Sequence, residues 1–226
     1  MTRRPPVPAT PTPPTPPAYV RRAEVAKSIV EYPLALGLFV LSIPVILLAM
    51  LVVRLTSKGS ALYTQQRVGR GGRVFTIYKI RTMYDECESL TGPRWALPGD
   101  PRITPVGLVL RALHIDELPQ LVNVLKGDMA IIGPRPERPE ICKQLRLVIP
   151  NYDARHTVKP GITGFAQIHL PPDSNLRSAR NKVAYDRFYI LRIGAWMDVY
   201  VYLCTVLKLI GLKRLYYRAP RKPAEE

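Results

Sequence analysis

The stretch Tyr32 to Val53, reading YPLALGLFVLSIPVILLAMLVV, carries no charged residue and constrains the fold more than any other part of the chain. As a straight helix it would cover about 33 Å at ~1.5 Å per residue, close to the ~30 Å thickness of bilayer hydrocarbon. Two features set it apart from a simple span. Pro44, near its centre, removes a backbone donor and favours a kink. Basic residues flank both ends, with Arg21, Arg22 and Lys27 before it and Arg54 and Lys58 after it. Because positive residues favour the cytoplasmic side, these flanks suit a hairpin entering and leaving one leaflet as well as they suit a span. The segment starts about thirty residues in and is too long for a signal-peptide core, which argues against a cleaved leader.

A net charge of +16 over 226 residues calls for an acidic partner: nucleic acid, anionic lipid or a phosphorylated substrate. The apolar segment favours lipid and phosphate over nucleic acid. Nearly half the residues are apolar, enough for one moderate domain with appendages. Residues 5–17 are almost wholly Pro and Thr with Ala and Val, a composition that favours extended conformers and reads as a disordered leader. Cys87, Cys142 and Cys204 are widely spaced, so neither a disulfide framework nor a thiolate zinc site is expected. His114, His156 and His169 likewise lack ligand spacing.

The chemistry concentrates in His114 to Pro136, HIDELPQLVNVLKGDMAIIGPRP. Leu118, Leu121, Val122 and Leu125 recur at the spacing of a helix that buries one face, which puts Asp116 and Glu117 at its start. Pro119 suits a first turn and Gly127 a stop. The pair reads as an N-cap with a favourable first-turn charge, or as functional carboxylates. Gly133-Pro134-Arg135-Pro136 then holds a guanidinium between two prolines, which reads as a turn or as a bidentate phosphate clamp. Together, a clamp, a helix start and spare carboxylates suggest phosphoryl chemistry with a divalent metal.

Around this centre, Val74 to Arg81 predicts a strand with Phe75, Ile77, Lys79 and Arg81 on one face, so that both cations point the same way. The irregular residues 85–100 read as a surface insertion. Glu140 to Val148 predicts a helix stopped before Pro150, and Pro160-Gly161 a tight turn into Ile162 to Ile168. Trp196 to Ile210 predicts an apolar, aromatic-rich helix. After it come Lys213, Arg214, Tyr216, Tyr217, Arg218, Arg221 and Lys222, a composition suited to anionic lipid and equally able to bind RNA.

Asp116-Glu117-Leu118-Pro119-Gln120-Leu121, Asn123 to Met129 and Gly133-Pro134-Arg135-Pro136 resemble the bacterial sugar transferases, or monotopic phosphoglycosyl transferases. So do Lys79-Ile80-Arg81-Thr82-Met83, Asp100 to Thr104 and Pro160 to Gly164, in the family's order, across roughly Tyr32 to Gly211. The resemblance implies a mixed, helix-rich α/β domain at the cytoplasmic face of the bacterial inner membrane, in the family's minimal form. Its parts would be a tail over residues 1–20, a re-entrant helix broken at Pro44 over 21–58, a catalytic domain over 59–212 and a basic tail over 213–226. It also implies transfer of a sugar 1-phosphate from a nucleotide diphosphate sugar, most simply UDP-linked, to polyprenyl phosphate. Asp116 would be the nucleophile and Glu117 a ligand of Mg²⁺, with Lys79, Arg81, Arg111, Arg135 and Asp186 binding substrate. Many relatives carry Trp at the place of Phe165 and Asn-Gly-Arg after Gln167, so this chain resembles a subset of the family. The competing reading is a non-catalytic, membrane-tethered basic module that binds acidic lipid or nucleic acid.

Overall fold

The computed structural model describes residues 15–85, 87, 95, 99–172 and 175–212. Most of the Pro/Thr-rich leader, most of the expected insertion and the basic tail with Arg221 lie outside the described residues.

Helix α1, Ala18–Thr56, contains the whole apolar segment and is one helix long and apolar enough to cross a membrane. Its buried residues, including Val20, Glu24, Glu31, Ala35, Ser42, Ile46, Ala49 and Val53, form a stripe at helical spacing. Both ends of this stripe pack on one domain. Val20 and Ala35 join Val124, Ile131 and Ile132 in the main core, while Ile46, Ala49 and Val53 pack with Ile80 and Leu110. The opposite face exposes Leu34, Leu36, Leu41, Leu47, Leu48, Leu51 and Leu55.

The expected break at Pro44 is not an interruption, for α1 is continuous with Pro33 and Pro44 inside it. A proline deletes one donor, leaving the Val40 carbonyl without its helical partner, and the turns on either side remain helical. The Ser42 hydroxyl donates to the Phe39 carbonyl at 2.9 Å, one residue before that vacancy.

Strands β1, Leu62–Val68, and β2, Val74–Ile80, form an antiparallel hairpin from Leu62 opposite Ile80 to Val68 opposite Val74. The strand stops one residue short of Arg81. The short helix α2, Pro105–Ala112, follows an N-cap at Thr104, whose hydroxyl accepts from the Gly107 N–H at 2.9 Å. A 3₁₀ turn, Ile115–Gln120, runs into helix α3, Leu121–Leu125, where sequence spacing predicted a single helix. Pro119 accounts for part of the difference, since its ring disfavours α geometry in the residue before it. Gly127, at φ 81°, stops the helix as expected.

Strand β3, Ala130–Ile132, pairs in parallel with β4, Gly161–Thr163. Their backbones approach so closely at Gly133 and Gly161 that a side chain on either glycine would collide with the opposite strand. Helix α4 is Pro139–Val148 and α5 is Phe165–His169; the run expected over Ile162 to Ile168 is thus split between a strand and a helix. Helix α6, Leu176–Leu191, starts in a capping box between Asn175 and Ser178. Helix α7, Ala195–Leu209, buries Asp198, Val201 and Cys204 and exposes Trp196, Val199, Leu203 and Val206 on its other side. The domain is mixed and helix-rich, with two two-stranded sheets among the described residues.

Candidate active site

Three elements converge on the acid pair. The 3₁₀ turn begins after His114, whose backbone is left-handed at φ 56°, and this places Asp116 and Glu117 in its first turn rather than at the cap. The second element is β2. Its free edge is held by Asn123 of α3, whose amide donates to the Thr76 carbonyl at 2.7 Å and accepts from the Tyr78 N–H at 3.2 Å. That grip fixes Lys79, the next residue, against the 3₁₀ turn. The third is β3, whose Ile131 and Ile132 N–H groups donate to the two oxygens of Glu31 at 3.1 and 3.0 Å. A residue of α1 therefore holds the strand that leads directly into Gly133-Pro134-Arg135-Pro136.

At the meeting point Glu117 is shared by two cations. Lys79 Nζ lies 2.7 Å from its Oε1, and Arg135 presents both terminal nitrogens, one to each oxygen, with Nη1 to Oε2 at 3.3 Å. Burial alone would raise the Glu117 carboxyl, but Arg135 and Lys79 outweigh it and hold it well below the ordinary range. Glu117 in turn raises the Arg135 guanidinium, whereas burial draws the Lys79 ammonium down against Glu117's attraction.

Asp116 is in the opposite position. It is 6% exposed and makes no side-chain ion pair with another described residue. Burial raises its carboxyl from 3.8 to about 6; Lys79 pulls the other way and the adjacent Glu117 charge adds to the rise. Arg111 acts on Asp116 electrostatically while its Nε donates to the Thr82 hydroxyl at 2.8 Å. Two adjacent carboxylates thus have different states: one charged and saturated, the other less paired and readily protonated.

Of the residues expected at the site, Asp116, Glu117, Lys79, Arg111 and Arg135 are brought together. Arg81 is not among them. Its guanidinium binds the carbonyls of Ser57 and Lys58 and the Ser57 hydroxyl, so it ties the end of α1 to the strand instead of sharing a substrate face with Lys79. Asp186 is also one step removed. It lies 2.7 Å from Arg155 Nη2, which donates to the Arg135 carbonyl at 2.9 Å, while Nη1 donates to the Tyr152 hydroxyl at 3.0 Å. Asp186 therefore reaches the clamp through Arg155, which fixes the backbone between the two prolines. Sequence reasoning assigned no role to Arg155, Asn123 or Glu31, because the partners they hold are distant in the chain and their spacing carries no signal.

Magnesium takes oxygen ligands, commonly one or two carboxylates together with substrate phosphates. Asp116 and Glu117 offer such a set. Among the described residues no group of three His, Cys, Asp or Glu side chains could cage a metal. The residues present fit an ion held jointly with a phosphorylated substrate rather than one caged by protein side chains alone.

The chain is 42% identical over 167 residues to UDP-N-acetylgalactosamine-undecaprenyl-phosphate N-acetylgalactosaminephosphotransferase of Aeromonas hydrophila, covering 74% of this chain and 39% of that protein. It is 40% identical over 197 residues to UDP-glucose:undecaprenyl-phosphate glucose-1-phosphate transferase of Caulobacter vibrioides, covering 85% and 73% respectively. For the Escherichia coli protein of that same name, identity is 38% over 185 residues, covering 81% and 40%. The chain thus spans about two fifths of the Aeromonas and Escherichia relatives and nearly three quarters of the Caulobacter one. The bacterial sugar transferase family model matches residues 22–211, which take in most of α1, the carboxylate pair, both cations and α7, and the chain belongs to that family.

Proposed function

We propose that the protein transfers a sugar 1-phosphate from a UDP-sugar to a polyprenyl phosphate, releasing UMP, through a covalent phosphosugar on Asp116. The observation that carries this reading is the division between the two carboxylates. Glu117 gathers Lys79 and Arg135, and Asp116 stays clear of ion pairs beside them. The names of the relatives supply the substrate class, a UDP-sugar and undecaprenyl phosphate.

In the first step an Asp116 oxygen attacks the sugar-linked phosphorus, and the phosphoanhydride bond breaks with its electron pair leaving on UMP. In the second, an oxygen of polyprenyl phosphate attacks the same phosphorus, forming a polyprenyl diphosphate sugar and restoring the Asp116 carboxylate. A carboxylate is repelled by a charged pyrophosphate, so both steps depend on positioned cations. Arg135 suits the pyrophosphate because a planar guanidinium can leave the Glu117 carboxylate for phosphate oxygens of similar geometry. Arg155, braced by Asp186, keeps that guanidinium's backbone in place. Magnesium bound at Glu117 would neutralise charge on the phosphates and favour departure of UMP.

The acceptor requires a membrane. We read α1 as re-entrant in the bilayer, bending at Pro44 without losing its helical continuity, with α7 lying at the interface, so that the domain rests on the cytoplasmic face. Support comes from the packing of both halves of α1 on the same domain, since a straight span would carry one half out of its reach. Exposed Trp196, Val199, Leu203 and Val206 on α7 supply a second apolar face. The test is UMP release from a panel of UDP-sugars with Mg²⁺ and polyprenyl phosphate in detergent. Turnover with at least one donor is expected; binding without turnover, weakened steadily by salt, would return the protein to the tethered-module reading.

A further inference from the structure

Away from the carboxylate pair, an open groove of about 520 Å³ lies between the amino-terminal half of α1, the β1–β2 turn and Lys159, two residues before β4. Val25, Ile29 and Pro33 form an apolar wall, and Arg70 and Lys159 supply cations. The wall continues into the exposed apolar face of α1, with Val25 65% and Ile29 71% exposed. The groove is distinct from the active site. Its lining, which includes Tyr32 beside Gly127, contains none of Asp116, Glu117, Lys79, Arg111 and Arg135.

Its charges are arranged for one anion. Glu24 is engaged from both sides, accepting the Lys159 backbone N–H at 2.7 Å and lying 3.2 Å from Arg70 Nη1. Arg70 remains 42% exposed along its side chain. The Lys159 ammonium lies over the Tyr32 ring, 5.5 Å from its centroid, with no carboxylate in ion-pair range among the described residues. Two cations against one carboxylate leave a net single positive charge at the edge of an apolar wall. That combination matches a lipid phosphodiester, with a headgroup phosphate at Lys159 and Arg70 and an acyl chain along Val25 and Ile29.

We propose that this groove holds one anionic phospholipid of the bilayer and thereby seats the amino-terminal half of α1 at the membrane surface. The inference rests on the membrane-bound reading of α1 and is independent of the phosphosugar chemistry. Native mass spectrometry of protein exchanged into micelles containing phosphatidylglycerol or phosphatidylcholine tests it. The wild type should retain one phosphatidylglycerol and no phosphatidylcholine. Arg70→Ala with Lys159→Ala should lower retention by about five-fold per cation, or about twenty-five-fold together. Arg22→Ala, an exposed base on the same helix outside the groove, should retain the lipid. The proposal is overturned if the wild type holds no lipid in one-to-one ratio, if both headgroups are retained alike, or if Arg22→Ala loses as much as the groove variant. UMP release by the groove variant in detergent should equal that of the wild type, which shows it folded and separates this test from that of the enzymatic reading.

Discussion

Replacing Asp116 by Asn should stabilise the protein while abolishing its activity. The folded carboxyl is raised from 3.8 to about 6, chiefly by burial, so at neutral pH its ionised form strains the fold. At about 1.36 kcal/mol per pH unit, that difference corresponds to at most about 3 kcal/mol. A neutral amide still needs polar partners in the same place, which reduces the expected gain to about 1–2 kcal/mol. For a domain of this size that is a melting-temperature rise of roughly 2–8 °C. The pH dependence has a definite sign. The folded carboxyl holds its proton more tightly than the unfolded one. Proton-linked stability is therefore fully present below pH 3.8 and lost as the pH rises through about 6. The gap between Asn variant and wild type should be widest above pH 6 and should close towards pH 4. Glu117→Gln should act oppositely, since it strips a carboxylate from buried Lys79 and Arg135; a loss of about 3–5 kcal/mol is expected. Differential scanning calorimetry in one detergent across a pH series reads all three proteins. An Asp116→Asn variant that melts at or below the wild type at neutral pH, or a gap unaffected by acid, would refute the reasoning.

If Asp116 is the nucleophile, it must be ionised to attack, so the rate of the first UMP release should fall about tenfold per pH unit below about pH 6 and level off above it; a flat profile between about pH 5 and pH 7 contradicts this. Arg135→Lys keeps the charge but loses the fork now seen on Glu117, so turnover should drop by about a hundredfold with membrane attachment unchanged. Full activity would make the Pro-Arg-Pro turn structural only. If α1 re-enters, single cysteines placed at Arg22 and Lys58 should both resist an impermeant thiol reagent in intact spheroplasts, and labelling at one end alone would indicate a span.

Local pattern made the acid pair, the Gly127 stop, the hairpin strand and helices α4 and α7 legible in the sequence. Periodicity and punctuation act over a few residues, and these elements differ from the reading by a residue or so at their ends. Lys79, Arg135 and Glu117 were each legible as chemistry-bearing residues, yet their mutual contact depends on packing β2 and β3 against one turn. Period two predicted Arg81 on the Lys79 face, but the strand ends at Ile80 and the Arg81 side chain turns towards the end of α1. Asp186 was visible only as an acid matching a family position; that it acts on Arg155 requires α6 to lie beside the turn over Tyr152–Thr157. Glu24 and Glu31 are acids flanking an apolar segment in the sequence, and only the fold reveals that they clamp the backbones of Lys159 and of β3.

Incubation with UDP-sugar and Mg²⁺ in the absence of polyprenyl phosphate, followed by peptide mass analysis, tests the central claim most directly. The account predicts a burst of UMP of at most one equivalent per active site and a peptide containing Asp116 heavier by one phosphosugar, both lost in Asp116→Asn. No UMP until acceptor is added, with no adduct at any time, would contradict it and leave direct transfer, with Asp116 serving as a base or metal ligand.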